Sequence, residues 1–103
     1  MKQTDLQNFL NNPASLPRST TLLLEDGLRV LLLHLKPGEQ IPEHQARGAI
    51  SVQCLQGEAT FLSGEERIEL KQHTLITLGP NAPHSVTARS EALILVTVSQ
   101  VTP

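Results

Sequence analysis

Residues 74–88, TLITLGPNAPHSVTA, read as two short β-strands joined by a rigid turn. Residues 74–78 are all leucine or β-branched, and Val86 and Thr87 follow the turn, as is typical of strands that are at least half buried. The turn contains Gly79, Pro80, Asn81 and Pro83, and prolines so close together can continue neither a helix nor a central strand. We therefore predict strands over residues 74–78 and 84–88.

The same alternation of strand and turn continues in both directions along the chain. Asp26-Gly27 and Ser63-Gly64 are hairpin signals, and each lies between runs of apolar and β-branched residues. Short, evenly spaced strands with turn signals between them indicate an all-β fold, a sandwich or a jelly-roll barrel. The further predicted strands span residues 20–24, 28–35, 49–55, 58–62, 67–70 and 92–98.

The N-terminal region differs from the rest of the chain. Residues 4–10 are the only helical candidate, because Thr4 or Asp5 can cap a helix that Asn11-Asn12-Pro13 would end. The 103 residues allow one core of ordinary size. We therefore predict an N-terminal helix and linker over residues 1–18 and one barrel domain over residues 19–103.

The composition excludes several classes of partner. Eight Lys and Arg against ten Asp and Glu give a net charge of −2, which provides no electrostatic footprint for nucleic acid or an anionic membrane. Two Phe, with no Tyr or Trp, argue against a surface on which bases or sugars stack. The lone Cys54 excludes an internal disulfide, and the N-terminus lacks a signal-peptide core. We expect a soluble, cytoplasmic protein.

Residues 21–24 and 30–35 are apolar on both faces of their predicted strands. One face can line a barrel interior, and the other also needs cover. We expect a second copy of the chain to provide it, so that the protein is a homodimer. The alternative is that the predicted helix over residues 4–10 covers these strands.

Two histidines mark a resemblance to a known family. One stretch resembles the first cupin motif, G-x5-H-x-H-x3,4-E-x6-G. It begins at Gly38, has His44 after five further residues, and continues into a strand that ends at Gly57. Residues 73–88 resemble the second, G-x5-P-x-G-x2-H-x3-N, with His84 at its histidine. The chain is thus similar to small single-domain cupins of the RmlC-like superfamily, of the type called the cupin 2 conserved barrel. The resemblance implies a jelly-roll, or double-stranded β-helix, barrel that is often dimeric.

In that family, two histidines and a glutamate of the first motif bind a divalent metal together with the histidine of the second. Here only His44 and His84 match, since Ala46 and Ile50 stand at the other two ligand positions. The resemblance therefore implies at most a weakly held Zn, Fe, Mn or Ni ion. Gln53 and His34 are candidate replacement ligands, although a structural hydrogen bond is the favoured interpretation of Gln53 and a wall position that of His34.

The remaining candidates would line a small, aliphatic pocket marked by the two histidines. We predict a binding protein for a small molecule or a weakly held metal, with no catalysis established. A metal-dependent enzyme (oxygenase, isomerase or lyase) with unusual ligands and a non-catalytic dimeric barrel are the alternatives. A small polar ligand or a single ion fits such a pocket better than a flat aromatic or sugar. The predicted lining consists of Ala46, Arg47 (on a loop), Ile50, Val52, Cys54, Leu78 and Val86.

Overall fold

The computed structural model describes residues 1–99 and contains two antiparallel sheets packed face to face. The five-stranded sheet has the order β1-β2-β9-β4-β7, and the four-stranded sheet has the order β3-β8-β5-β6. The predicted all-β jelly-roll fold is confirmed. The strands are β1 Ser19–Glu25, β2 Leu28–Leu35, β3 Gln40–His44, β4 Ile50–Gln56, β5 Ala59–Ser63, β6 Glu66–Leu70, β7 Leu75–Leu78, β8 His84–Ala88 and β9 Ala92–Ser99.

One strand, β3, is absent from the sequence prediction. It contains Pro42 and four further residues, three of them polar or charged, so neither apolar content nor alternation marks it. Pro42 is tolerated because β3 lies at the edge of its sheet, where a missing N–H costs no ladder hydrogen bond. An irregularity between Ile41 and His44 interrupts its pairing with β8.

The helical content is smaller than predicted. The α-helix α1 spans only Gln7–Leu10, and a 3₁₀ turn follows at Pro13–Ser15. So short a helix gains little from its own hydrogen bonds and depends on docking. No helix in residues 1–99 is long and apolar enough to cross a bilayer.

The core lies between the two sheets and follows from the alternation of side chains along each strand. On β4, Ile50, Val52 and Cys54 point inward and are buried, whereas Ser51 and Gln53 lie on the outer face. The inward side chains of the other strands complete the core, and its buried members are Leu35, Ile50, Val52, Cys54, Ala59, Phe61, Leu70, Val86, Ala88, Ala92 and Ile94.

His34 joins the N-terminal segment to the outer face of β2. Its Nδ1 lies 3.1 Å from the carbonyl oxygen of Leu16, and its Nε2 lies 2.9 Å from the carboxylate of Glu91. The backbone N–H of His34 donates to the carbonyl of Arg18. The linker before β1 therefore runs beside this end of β2, where Leu32 is 1% exposed. The chain itself thus covers part of the second apolar face.

Gly57, the last residue of the first sequence motif, occupies a position that only glycine fits. Its φ is +80°, and a Cβ built there would lie 2.0 Å from the carbonyl oxygen of Glu91. Gly64 also has a positive φ, +59°, but a Cβ there would meet no atom within 4 Å. The β4–β5 turn can therefore pass against the start of β9 only because residue 57 lacks a side chain.

We expect Gly57→Ala to lower the free energy of unfolding by about 3–5 kcal/mol, since left-handed strain and displaced backbone add. Gly64→Ala should cost only the strain, about 1–2 kcal/mol. Urea unfolding of the two variants and the wild type measures both. Equal losses in the two variants would contradict the close approach at residue 57.

Candidate functional site

A cavity of about 300 Å³ opens between the two sheets. Its wall is almost entirely aliphatic, with one phenylalanine, two histidines and one arginine. Among the described residues, no Asp or Glu contributes to it. The lining residues are Arg29, Leu31, Leu33, Ile41, His44, Ala46, Ile50, Val52, Phe61, His84, Val86, Ile94, Val96 and Val98.

The strand register places the polar residues at one end of this cavity, which we call the mouth. Arg29 pairs with Val98, and Val98 pairs in turn with Ile50, so the three form one row across the five-stranded sheet. Ile50 begins β4 directly after the loop that leaves His44. In the four-stranded sheet, His44 at the end of β3 lies opposite His84 at the start of β8.

Loop contacts fix the position of the turn that leads into β8. The Asn81 N–H donates to the Ala46 carbonyl at 2.8 Å, and Ser63 Oγ donates to the Pro83 carbonyl at 2.7 Å. Asn81 has a φ of +63°, a conformation that Asn tolerates better than most residues. The turn is thus held to the β3–β4 loop on one side and to β5 on the other, directly before His84.

The two imidazoles are in contact and share one tautomer. Their ring centroids are 4.1 Å apart, with an interplanar angle of 65°. His44 Nδ1 lies 3.0 Å from the Pro42 carbonyl oxygen, and His84 Nδ1 lies 3.0 Å from that of Ala82. A carbonyl only accepts, so each Nδ1 carries a proton and donates. In a neutral ring, Nε2 is then left as an acceptor.

The surroundings of His84 favour its neutral form. The residue is 7% exposed, and its ring stacks on Phe61 with centroids 5.8 Å apart. Burial lowers the pKa of His84 below the ordinary histidine value, and the nearby His44 lowers it further, against the opposing effect of the Ala82 carbonyl. At neutral pH, His84 therefore presents Nε2 as a hydrogen-bond acceptor.

Six of the residues singled out from the sequence lie together on the cavity wall. Whether they bind a ligand stays a prediction, but the fold does bring them to one place. Parity along the strands and the two motifs were sufficient to find them. They are His44, His84, Ala46, Ile50, Val52 and Val86.

Three predicted lining residues lie elsewhere. Cys54 points inward but lies too deep, fully buried in the core. Its Sγ is 3.4 Å from each of the carbonyl oxygens of Gln56 and Gly57, and burial raises the pKa of its thiol. Leu78 lies on edge strand β7 and lines a separate pocket of about 60 Å³. Arg47 is exposed on its loop and is not among the lining residues.

Neither candidate replacement ligand reaches the cavity. Gln53 lies on the outer face of β4, opposite in parity to Ile50 and Val52. His34 lies on the outer face of β2, and hydrogen bonds to Leu16 and Glu91 occupy both its ring nitrogens. His34 is thus the hydrogen-bonded wall residue that the sequence favoured, whereas the structural hydrogen bond favoured for Gln53 stays a prediction.

Eight lining residues were missed, and most follow the same alternation. Leu31 and Leu33 share parity on β2, as do Ile94, Val96 and Val98 on β9, so the period of two could have identified them. Phe61 contradicts the expectation of a purely aliphatic wall. Arg29 shares the parity of Leu31 and Leu33, but a charged residue gives no apolar signal, and the pairing with Val98 is what places it at the mouth. Ile41 lies on the strand that the sequence did not predict.

The donor set does not fit the four-ligand metal centre that the sequence resemblance implies. At the two other ligand positions, Ala46 and Ile50 put a methyl and a branched alkyl group on the cavity wall. Within residues 1–99, no group of three or more His, Cys, Asp or Glu side chains could hold a metal ion. Two imidazoles alone fall short of the three or four protein ligands of ordinary metal sites.

We expect His84 to titrate below the ordinary histidine pKa of about 6.5. The unfolded chain then binds more protons than the native one, so the free energy of unfolding should fall as pH drops below about 6.5. His44→Gln should raise the pKa of His84, and His73→Gln, on an exposed turn, should not. NMR titration of the imidazole signals measures this. An unshifted His84 in the wild type would contradict its burial.

Solved structures with the same architecture come from several bacteria. TT1209 from Thermus thermophilus aligns with a TM-score of 0.79 and 26% identity, over 98% of this chain and 100% of that chain. A cupin superfamily protein from Desulfitobacterium hafniense gives 0.77 and 20%, over 81% and 76%. An RmlC-like cupin from Desulfovibrio desulfuricans gives 0.72 and 21%, over 79% and 79%.

No curated protein matches the sequence. The family model of the cupin domain, however, matches residues 31–99, well over half of the 103 residues. The matched segment contains both histidines of the mouth and every strand from β3 to β9. The chain therefore belongs to the cupin family.

Proposed function

We propose that the protein binds a small, mainly aliphatic molecule in the cavity, with the polar group of that molecule held by His44 and His84. One observation carries the proposal: an apolar cavity of about 300 Å³ meets two adjacent imidazoles at its mouth. Concave, mainly apolar pockets with a few convergent polar groups are the usual form of small-molecule sites.

The size of the cavity limits the ligand. If each non-hydrogen atom takes the ~30 Å³ of a water molecule in the liquid, roughly ten atoms fit in the cavity. Each methylene that leaves water for such a wall contributes about 0.8 kcal/mol. A chain of six to eight carbons, as an order-of-magnitude estimate, would thus gain most of its affinity from Leu31, Val52, Val96 and their neighbours.

The tautomer of the imidazoles determines whether the group that they bind must donate or accept a hydrogen bond. With Nδ1 committed to the carbonyls of Pro42 and Ala82, the Nε2 atoms offer lone pairs. Such atoms bind a donor, for example a hydroxyl group. We therefore expect an alcohol to bind more tightly than an alkane of the same length.

A metal-dependent oxygenase, isomerase or lyase is the second candidate function. It is favoured by the anchoring of both Nδ1 atoms on backbone carbonyls, since metal-binding histidines are commonly oriented in this way. It requires donors from outside the cavity wall, because Ala46 and Ile50 supply none. We rank it below the small-molecule site, with a divalent ion held at low affinity at most.

We expect 1-octanol to bind and to raise the Tm, since a ligand that binds only the folded state stabilises it by mass action. Ala46→Phe, at the mouth, should abolish the increase by filling the entrance. Ala49→Phe is the matched control, because Ala49 is exposed and does not line the cavity. Thermal unfolding with and without 1-octanol measures the change in Tm for the wild type and for both variants. Equal increases in both variants would contradict binding in the cavity.

The metal content of the same preparation tests the second candidate. Protein without a tag, expressed with Zn, Fe, Mn and Ni available, should contain far less than one ion per chain. A near-stoichiometric ion that is lost in both His44→Ala and His84→Ala would overturn our ranking of the two functions.

We also propose that the protein is a homodimer. The tip of the β1–β2 hairpin supports this, because Leu24 and Leu28 remain 49% and 41% exposed there. Light scattering at micromolar concentration should give twice the 11.2 kDa chain mass, and Leu28→Glu should reduce it to one chain. A wild-type mass of one chain would contradict the dimer.

A further inference from the structure

We propose that the ligand of the cavity is an aliphatic carboxylate and that Arg29 binds its anionic group. The inference rests on the proposed function, since it assigns a chemical class to the molecule that the cavity holds. It uses a residue that no sequence motif includes.

Arg29 lies where its guanidinium can contact the charged group of a molecule in the cavity. It lines the cavity from the mouth row of the five-stranded sheet, beside Val98. Its guanidinium makes one side-chain hydrogen bond within residues 1–99, from an Nη to Thr21 Oγ1 at 3.3 Å. A guanidinium has five N–H donors, so most of them are available to a ligand.

The charges around the cavity favour an anion. Within the described part of the chain, no acidic side chain lines it, and Arg29 is its only guanidinium or ammonium group. The ion pairs of the described chain, His34–Glu91, Arg67–Glu69 and Arg89–Glu69, do not include Arg29. Planar guanidinium groups match carboxylates in a two-bond geometry, which makes a carboxylate the preferred anion.

The two polar parts of the mouth bind different groups. The neutral Nε2 of His84 accepts a hydrogen bond, which an ionised carboxylate cannot donate, so a hydroxyl group would bind at the imidazoles and a carboxylate at Arg29. Arg29 donates hydrogen bonds to the carboxylate, and the aliphatic side chains of the cavity wall contact the hydrocarbon chain. An apolar chain with one anionic end, of roughly ten non-hydrogen atoms in total, satisfies the cavity volume, its wall and its charge together.

Isothermal titration with octanoate, 1-octanol and octylamine tests the proposal at neutral pH. The three probes share one chain and differ in the head group. A hydrogen bond between charged partners should make octanoate bind about 10- to 100-fold more tightly than 1-octanol. Octylamine should bind more weakly than octanoate, because Arg29 attracts the carboxylate and repels the ammonium group.

Two arginine variants assign the preference to one side chain. In Arg29→Gln, octanoate should bind no more tightly than 1-octanol binds the same variant. Arg47→Gln changes the net charge equally and lies on the loop after His44, outside the lining. It should keep the wild-type preference. Both residues are exposed, so each variant should fold, and thermal unfolding checks this.

The outcomes separate this inference from the proposed function. If 1-octanol binds the wild type but octanoate binds no more tightly, the carboxylate assignment is overturned and the cavity function stands. If Arg29→Gln keeps the preference, the role of Arg29 is overturned. If none of the probes binds, the proposed function fails, and the inference fails with it.

Discussion

The pairing of β9 with β2 on one side and β4 on the other positions one whole wall of the candidate site. Because the register is continuous from Arg29 through Val98 to Ile50, three residues distant in sequence form one row at the mouth. A shift of one residue would turn every inward side chain of β9 outward. The contact that brings Gly57 against the Glu91 carbonyl stands at the start of this strand. This close approach, at the end of β9 away from the mouth, thus helps to fix the position of the strand whose other end lies at the mouth.

The chemistry of the mouth follows from two positions that carry no polar atom. Where the family places a histidine and a glutamate, Ala46 and Ile50 present alkyl groups to the cavity. This removes two metal donors and also the acidic group that would have opposed an anion. The same two residues leave the cavity wall apolar at these positions, and Arg29 is the one guanidinium or ammonium group of the lining within residues 1–99.

Short strands and turn chemistry were sufficient to predict the all-β fold, and the resemblance to the two cupin motifs implied that His44 and His84 share one site. Asn81 stands at the turn glycine of the second motif and adopts a φ of +63°, and His73 stands at its first glycine and adopts +75°. These two motif positions therefore reflect a left-handed backbone conformation and not a metal ligand. The edge strand β3 escaped prediction because Pro42 and its polar neighbours resemble a loop. Arg29 escaped because strand register, which no local pattern encodes, places it at the mouth. Cys54 and Leu78 were predicted to line the cavity and do point towards the core, but an inward direction alone does not fix a residue's depth or its distance from the sheet edge.

The two environments in which the structure buries histidine differ in a way that bears on function. His34 is 4% exposed, and acceptors on Leu16 and Glu91 occupy both its nitrogens, so nothing is left for a ligand. His84 is 7% exposed, and its ring makes one hydrogen bond within residues 1–99, through Nδ1. Thr20 Oγ1 is the one fully buried side-chain polar atom without a partner in residues 1–99, so Nε2 of His84 keeps access to solvent at the cavity. His84, unlike His34, therefore has a ring nitrogen that can accept a hydrogen bond from water or from a molecule in the cavity.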